Sequence, residues 1–370
     1  MKAVIDNIVN SLSGHPANTG LIVGVIDRDH HSVFGYGKAN DASAEIPSGG
    51  TLFEIGSITK VFTSSLLSAL VADGLLKLDE PVRDLMPSLY NFPAEINLLR
   101  LATHTAGLPK MPSNLIRSTF RDRHNPYAAY TTADLFKYLS RYKPERHRGS
   151  MDKINYSNLG FALLGHILTQ ACESSYEEAV ISRICDELSL DDTRITLTPE
   201  LNERSSTPHS ANGRQNKNWD MPAFAGAGAL HSTADDLLKF LGANLGSPQS
   251  SLTEAMQLSH EIRSEAFPQQ GRLQGFISGL IQRGQDTQDH CHGVALGWFV
   301  GQLSLEGNQV YWHHGATGGY RSFTGFVKTT GTGVVVLANR GPGRLDLLTS
   351  KTSADEIGFS VLEYLNSVDQ

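Results

Sequence analysis

The sequence predicts an α+β fold of the α/β-sandwich kind: one antiparallel sheet built from both ends of the chain, flanked by terminal helices, with a large, mostly helical region inserted between. Three observations lead there. Short β-rich segments punctuated by glycine occur near the start and again from about Val294. Helical apolar spacing dominates the residues between them, and an amphipathic helical pattern stands at each terminus. Strand runs that unite in one sheet, with helices segregated from them, define this architecture. The expected division is a discontinuous sheet domain of residues 1–50 and 290–370 and a helical domain of residues 51–289, with the active site in the cleft between them.

Val4, Ile5, Ile8, Val9 and Leu12 recur at helical spacing, so the chain opens with an amphipathic helix. LIVGVIDRD and SVFGYGKAN then read as two strands of a hairpin. FEIGSITKVFTSSLLSALVADG, which begins at Phe53, reads as a buried helix ended by Gly74. TADLFKYLSRY, LGFALLGHILTQA and STADDLLKFLGANL continue the helical pattern. The last carries a capping signal, Ser232 or Thr233 followed three residues on by Asp235 or Asp236. VALGWFVGQLSL, NQVYWHHG, SFTGFVKT and GVVVLANRG read as strands. Ile357, Val361, Leu362, Leu365 and Val368 share one face of a closing helix.

Composition narrows the function classes. The 370 residues are 40% hydrophobic, enough for a sizeable core. The net charge of -7, with no long basic tract, argues against nucleic acid as a partner. The basic residues Lys137, Arg141, Lys143, Arg146 and Arg148 read as a solvated surface, or as an attractor for an anionic substrate. Cys172, Cys185 and Cys291 are odd in number and far apart, which points away from a disulfide framework. The first residues lack the apolar core of a signal peptide, and no apolar run reaches the length of a membrane span. The expectation is a cytoplasmic protein, or a periplasmic or secreted one from which a signal was trimmed. His290, Cys291 and His292 have no matching ligand pair nearby and read as a loop, so no metal is expected.

Four stretches carry chemistry. Ser57 and Lys60 lie at i and i+3, neighbours on one helical face. A serine hydroxyl needs a base to become a nucleophile, and a lysine can be that base only if its pKa falls. The same pair also reads as an N-cap serine beside a solvated lysine. Tyr156 and Asn158, two apart ahead of an apolar helix, could face the serine together, the phenol handling protons and the amide binding a carbonyl; a helix cap is the simpler reading. In WHHGATGGYRSF, Gly315, Gly318 and Gly319 suggest close approach of another backbone or a ligand to an edge strand, with His313 or His314 as a polar group or a structural pair. His104 to Pro109 read as a helix end and turn with a scaffold role.

Ser-x-x-Lys, then Tyr-x-Asn, then a glycine-rich histidine strand near the C-terminus is the motif order of the serine β-lactamase and penicillin-binding superfamily. The chain resembles its class C β-lactamase-related branch, which includes esterases and D-amino-acid peptidases. The resemblance runs through TLFEIGSITKVFTSSLLSALVADGLLKLDEPV, LLRLATHTAGLP, NYSNLGFALLGHIL, AGAGALHSTADDLLKFL and HHGATGGYRSFTGF. It implies Ser57 as the acylated serine, Lys60 as its partner, Tyr156 and Asn158 as the Tyr-x-Asn pair, and His313, His314 and Gly315 in place of a Lys-Thr-Gly triplet. The backbone N–H groups of Ser57 and Ala316 become the implied oxyanion hole. No cofactor and no metal are implied. The partner is a small ester, amide, peptide or β-lactam.

Histidine in place of the triplet lysine resembles the peptidase and esterase branches and predicts poor β-lactam turnover. The segment KPERHRGSMDKIN ahead of Tyr156 lacks the compact Pro-Gly turn common in the family. The expected activity is hydrolysis through a covalent acyl-enzyme. An acyltransferase or transpeptidase on the same residues is the alternative, and a binding protein that has lost turnover ranks last.

Overall fold

The structure is a computed structural model that describes residues 1–12, 19–42, 44–143, 153–247, 249–265, 291–303, 307–343 and 354–367. Both chain ends build one sheet. After helix α1 (Lys2–Leu12) come β1 (Gly20–Asp27) and β2 (His30–Gly37). The far end contributes β6 (Cys291–Val294), β7 (Phe299–Gln302), β8 (Gln309–Ala316), β9 (Arg321–Val327) and β10 (Thr332–Ala338), followed by the closing helix of residues 354–367. With β5 (Ser264–Glu265), the order is β2-β1-β10-β9-β8-β7-β6-β5, every neighbour antiparallel. β5 pairs with β6 from within residues 51–289, the span expected to be helical.

The strand pleat explains why the sheet sequences are apolar throughout. Val334 and Val336 join Trp312 and Phe323 under α1 and the closing helix. Their neighbours Val335 and Leu337 join Phe326 and Tyr311 on the other face, with the inserted helices. Alternate residues point to opposite faces, and both faces are covered, so both must be apolar. Each such buried side chain is worth roughly 1.5–3 kcal/mol.

Between the strand groups, a two-stranded ladder of β3 (Phe53–Glu54) and β4 (His231–Ser232) ties the start of the insertion to its later part. Five helices of the insertion bear on the site or the sheet. In chain order they are α2 (Thr59–Ala72), α3 (Leu98–Ala102), α4 (Asn158–Cys172), α5 (Ala225–Gly228) and α6 (Ala234–Leu245), and the closing helix is α7 (Ala354–Ser367). α6 starts as its sequence signal foretold: Thr233 accepts from the Asp236 N–H at 3.1 Å. Asp236 does not close a capping box, because its carboxylate accepts instead from Asp192 N–H and the Thr193 hydroxyl.

Two sequence expectations need correction. Cys291 and His292 are not in a loop; they lie in β6, where a register shift between Cys291 and Gly293 marks a bulge. β8 is not an edge strand, since β7 and β9 flank it. The pairing with β7 nevertheless stops at Trp312, so among the described residues no strand pairs with residues 313–316 on that side. Arg146, Arg148, His290 and Val368 lie outside the described residues.

Candidate active site

Ser57 sits not in the long helix but in the 3-10 turn Gly56–Ile58 that leads into α2. The turn is held against the overhanging end of β8. Gly56 has φ +50°, and a Cβ there would come within 2.9 Å of Ala316 N. A Cβ on Gly315 would collide with the Ile55 carbonyl. The backbone approach expected from the Gly315 position is therefore that of the serine turn itself. The Ser322 hydroxyl donates to the same Ile55 carbonyl at 2.8 Å and fixes the distance.

The register of β8 and β9 also sets where Ala316 points. Thr317 N–H donates to Tyr320 O at 3.0 Å, closing the turn between the strands. Opposed residues in an antiparallel pair alternate between bonded and non-bonded. The next pair, Ala316 with Arg321, is thus non-bonded, and the Ala316 N–H turns away from β9 toward the side that β7 leaves open. It lies beside the serine turn, as an oxyanion donor must.

Lys60 is wholly buried. Its Nζ lies 3.0 Å from Ser57 Oγ and donates to the Ala227 carbonyl of α5 at 2.6 Å. Burial drives its pKa well below the usual lysine value, and the nearby Lys110 ammonium pushes the same way. Tyr156 lies with its ring centroid 5.0 Å from Lys60 Nζ. Burial raises its phenol above the ordinary range, with contact to Ser57 acting in opposition. Burial thus eases loss of the Lys60 proton and holds the Tyr156 proton, so the amine is the readier acceptor and the phenol the readier donor.

The start of α4 carries the second pair. Ser157, not Asn158, is the cap: its hydroxyl accepts from Gly160 N–H at 2.9 Å and donates to Pro109 O. Asn158 is the first helical residue; its Nδ2 lies 3.4 Å from Met111 Sδ, and its buried Oδ1 has no partner among the described residues. A carboxamide left partly unsatisfied at a cleft suits a substrate amide or carbonyl.

His313 and His314 point to opposite faces of the sheet, as the strand period requires. His313 faces Tyr156, with ring centroids 6.3 Å apart. Its Nδ1 is 2.7 Å from the His314 carbonyl, which can only accept, so Nδ1 carries the proton. Nε2 is left as a buried lone pair with no partner among the described residues. Burial holds the ring well below its ordinary pKa, so it is neutral. The His314 ring is directed elsewhere, its Nδ1 being 3.8 Å from Asp355 on α7. It still lies 5.8 Å from the His313 ring, centroid to centroid.

His104, which the sequence suggested was scaffold, is a support of the site. Its ring lies 4.5 Å from that of Tyr156. Nδ1 accepts from Ser157 N–H at 3.1 Å, and its backbone, at φ +60°, accepts from Asn155 N–H. Burial lowers its pKa to about 3. Sequence reasoning also missed Lys110 and the Ala227 carbonyl. The available signal was that Lys110 directly follows LLRLATHTAGLP and that Ala227 lies within AGAGAL, both parts of family-like segments. Among the described residues no cluster of His, Cys, Asp or Glu could hold a metal ion.

Comparison with known proteins places the chain in a family. A family model described as Beta-lactamase matches residues 5–356. A β-lactamase of Pseudomonas fluorescens is 26% identical over 353 residues, covering 92% of this chain and 94% of its own length. The D-alanyl-D-alanine-carboxypeptidase/endopeptidase AmpH of Escherichia coli K12 is 26% identical over 370 residues, covering 97% of this chain and 88% of its own. Among solved structures, a class C β-lactamase from Rhodobacter sphaeroides has a TM-score of 0.73 at 24% identity, covering 98% of this chain and 99% of its own. A β-lactamase/D-alanine carboxypeptidase from Pseudomonas syringae has a TM-score of 0.75 at 20% identity, with 98% of both chains covered. At these identities the structural likeness speaks for the fold, which is the α+β fold the sequence predicts.

Proposed function

The chain belongs to the beta-lactamase family and is a serine hydrolase; from that premise we propose that it works through an acyl-enzyme on Ser57 and acts on small esters or D-peptides in preference to β-lactams. The observation that carries the reading is the 3.0 Å contact between Ser57 Oγ and a buried lysine whose pKa lies well below the ordinary lysine value. In acylation Lys60 takes the hydroxyl proton as Ser57 Oγ bonds to the carbonyl carbon. The Ser57 and Ala316 N–H groups stabilise the oxyanion. Tyr156 passes a proton to the leaving group as its bond to carbon breaks, and is reprotonated through Lys60. Water repeats the sequence to release the acid. Asn158 orients the substrate.

The preference against β-lactams rests on His313. A neutral ring that presents a lone pair cannot donate to the carboxylate that penicillins and cephalosporins carry. Losing one charge-assisted hydrogen bond costs about 1.5–3 kcal/mol, roughly ten- to a hundred-fold in binding. The name of one relative, a carboxypeptidase/endopeptidase, supports the peptide reading. The alternative, an acyltransferase in which an alcohol or amine outcompetes water, uses the same residues.

Intact mass after exposure to a cephalosporin and to p-nitrophenyl esters, followed over time, tests the reading. We expect ester turnover without a lasting adduct, slow β-lactam clearance, and neither labelling nor turnover in Ser57→Ala. Ester hydrolysis at the native rate by pure Ser57→Ala protein sinks it.

A further inference from the structure

Three basic side chains surround the Tyr156 ring, and burial works against the charge of two. Lys60 and His313 both lie far below their ordinary pKa values. The third, Lys110, is exposed, and its Nζ stands 5.9 Å from the Tyr156 ring centroid, against 5.0 Å for Lys60 Nζ. Its backbone is fixed by the site, because Lys110 O accepts from Asn158 N–H at 3.1 Å. No hydrogen bond or ion pair occupies its ammonium among the described residues.

Its surroundings are set up the same way. The exposed Arg117, Arg121 and Arg123 follow it in the chain; Lys217 binds Asp122 at 2.9 Å, and Asp134 lies close enough to Arg121 to feel its charge. The segment reaches the end of β8 through Asn216: His124 Nδ1 is 2.7 Å from Asn216 Oδ1, and Asn216 Nδ2 donates to the carbonyl of Gly318, just past β8. Within a chain of net charge -7, residues 110–123 thus carry four cations against one carboxylate of their own. Such a local field raises the encounter rate of anions, and salt screens it.

We propose that Lys110 is a specificity-determining residue that selects substrates bearing a carboxylate on the Asn158 side of the carbonyl attacked by Ser57. The proposal rests on the reading of Ser57 as nucleophile. The exposed positive charge comes from the segment that bonds Asn158 rather than from β8, so an acidic group that His313 cannot hold is bound by Lys110 instead.

The test compares kcat/KM for mono-p-nitrophenyl adipate with that for its neutral methyl ester, which differs only in charge. The ratio is the readout, so any loss common to both substrates cancels. We expect the native protein to prefer the acid about five- to ten-fold in low salt, with the preference shrinking as ionic strength rises. Lys110→Met should bring the ratio to about one, Lys110→Glu should invert it, and Lys110→Arg should retain it. If Lys110→Met does not fold, the salt dependence and the Lys110→Arg and Lys110→Glu pair decide. Equal Ser57-dependent cleavage of both esters by the native protein, or a ratio indifferent to Lys110→Glu, overturns the proposal and leaves the nucleophile standing. Cleavage of both by Ser57→Ala overturns the nucleophile and this proposal with it.

Discussion

Burial acts oppositely on Lys60 and Tyr156, and the proposed mechanism gives the serine proton to Lys60 on that ground. Desolvation disfavours charge, so it lowers a lysine and raises a phenol. Lys60 gives up its own proton more readily than an exposed lysine, while Tyr156 would have to ionise against its surroundings to act as base. Ester kcat/KM should therefore rise with pH through an ionisation well below the ordinary lysine value and then stay level. A profile that levels only near pH 10 would contradict this. Lys60→Ala and Tyr156→Phe should each cost on the order of 10²–10⁴ in rate. Because one proton passes through both, the double variant should be little worse than the poorer single. Multiplicative losses would mean independent roles. His313→Lys should raise the cephalosporin acylation rate relative to that of a p-nitrophenyl ester. If the native protein already clears cephalosporins faster and the substitution moves neither ratio, the assignment of His313 is wrong.

At the scale of elements, the site depends on a 3-10 turn pressed against the open end of β8. Gly56 permits this twice over, through its φ of +50° and its lack of a Cβ near Ala316 N. Gly56→Ala should cost about 1–2 kcal/mol from the left-handed backbone alone. It should also lower kcat more than KM suffers, because the displaced turn misaligns Ser57 and the Ala316 N–H together. Urea melts and ester kinetics on one preparation check both. The same element shows what the sequence could tell. Strands and helices were legible because their periods are local, and Ser57, Lys60, Tyr156 and His313 because their motifs are short. The roles of His104 and Lys110 were not, because bonds between residues 104–110 and 155–159 create them. The contact of His314 with Asp355 on the closing helix was equally out of reach, and the 3-10 turn is too short to leave a period.

For the whole molecule, the insertion must be fastened to the sheet, and Glu54 is a buried fastening. It sits in β3, three residues before Ser57, almost without exposure. Its Oε1 accepts from Trp219 N–H at 2.6 Å, and His231 Nε2 is 3.9 Å away, while Thr317 beyond β8 acts on it to favour the charged form. Burial raises its pKa from 4.5 to about 7, despite the opposing influence of Trp219 and Thr317. A carboxyl whose folded pKa lies above its unfolded one contributes stability that is complete below pH 4.5 and is lost as pH rises to about 7. At 1.36 kcal/mol per unit, the swing is about 3 kcal/mol. Glu54→Gln keeps an acceptor for Trp219 N–H and removes the ionisation. Its stability relative to the native protein should therefore improve by about that amount between pH 5 and pH 8, whatever its offset at pH 5. Taking the difference cancels the opposing contribution of buried histidines such as His231, whose pKa of about 4 makes folding easier as pH rises. Urea unfolding of both proteins at the two pH values measures it. A difference that does not change with pH would mean that Glu54 is already ionised in the folded chain, and that Thr317 and Trp219 hold it as a carboxylate.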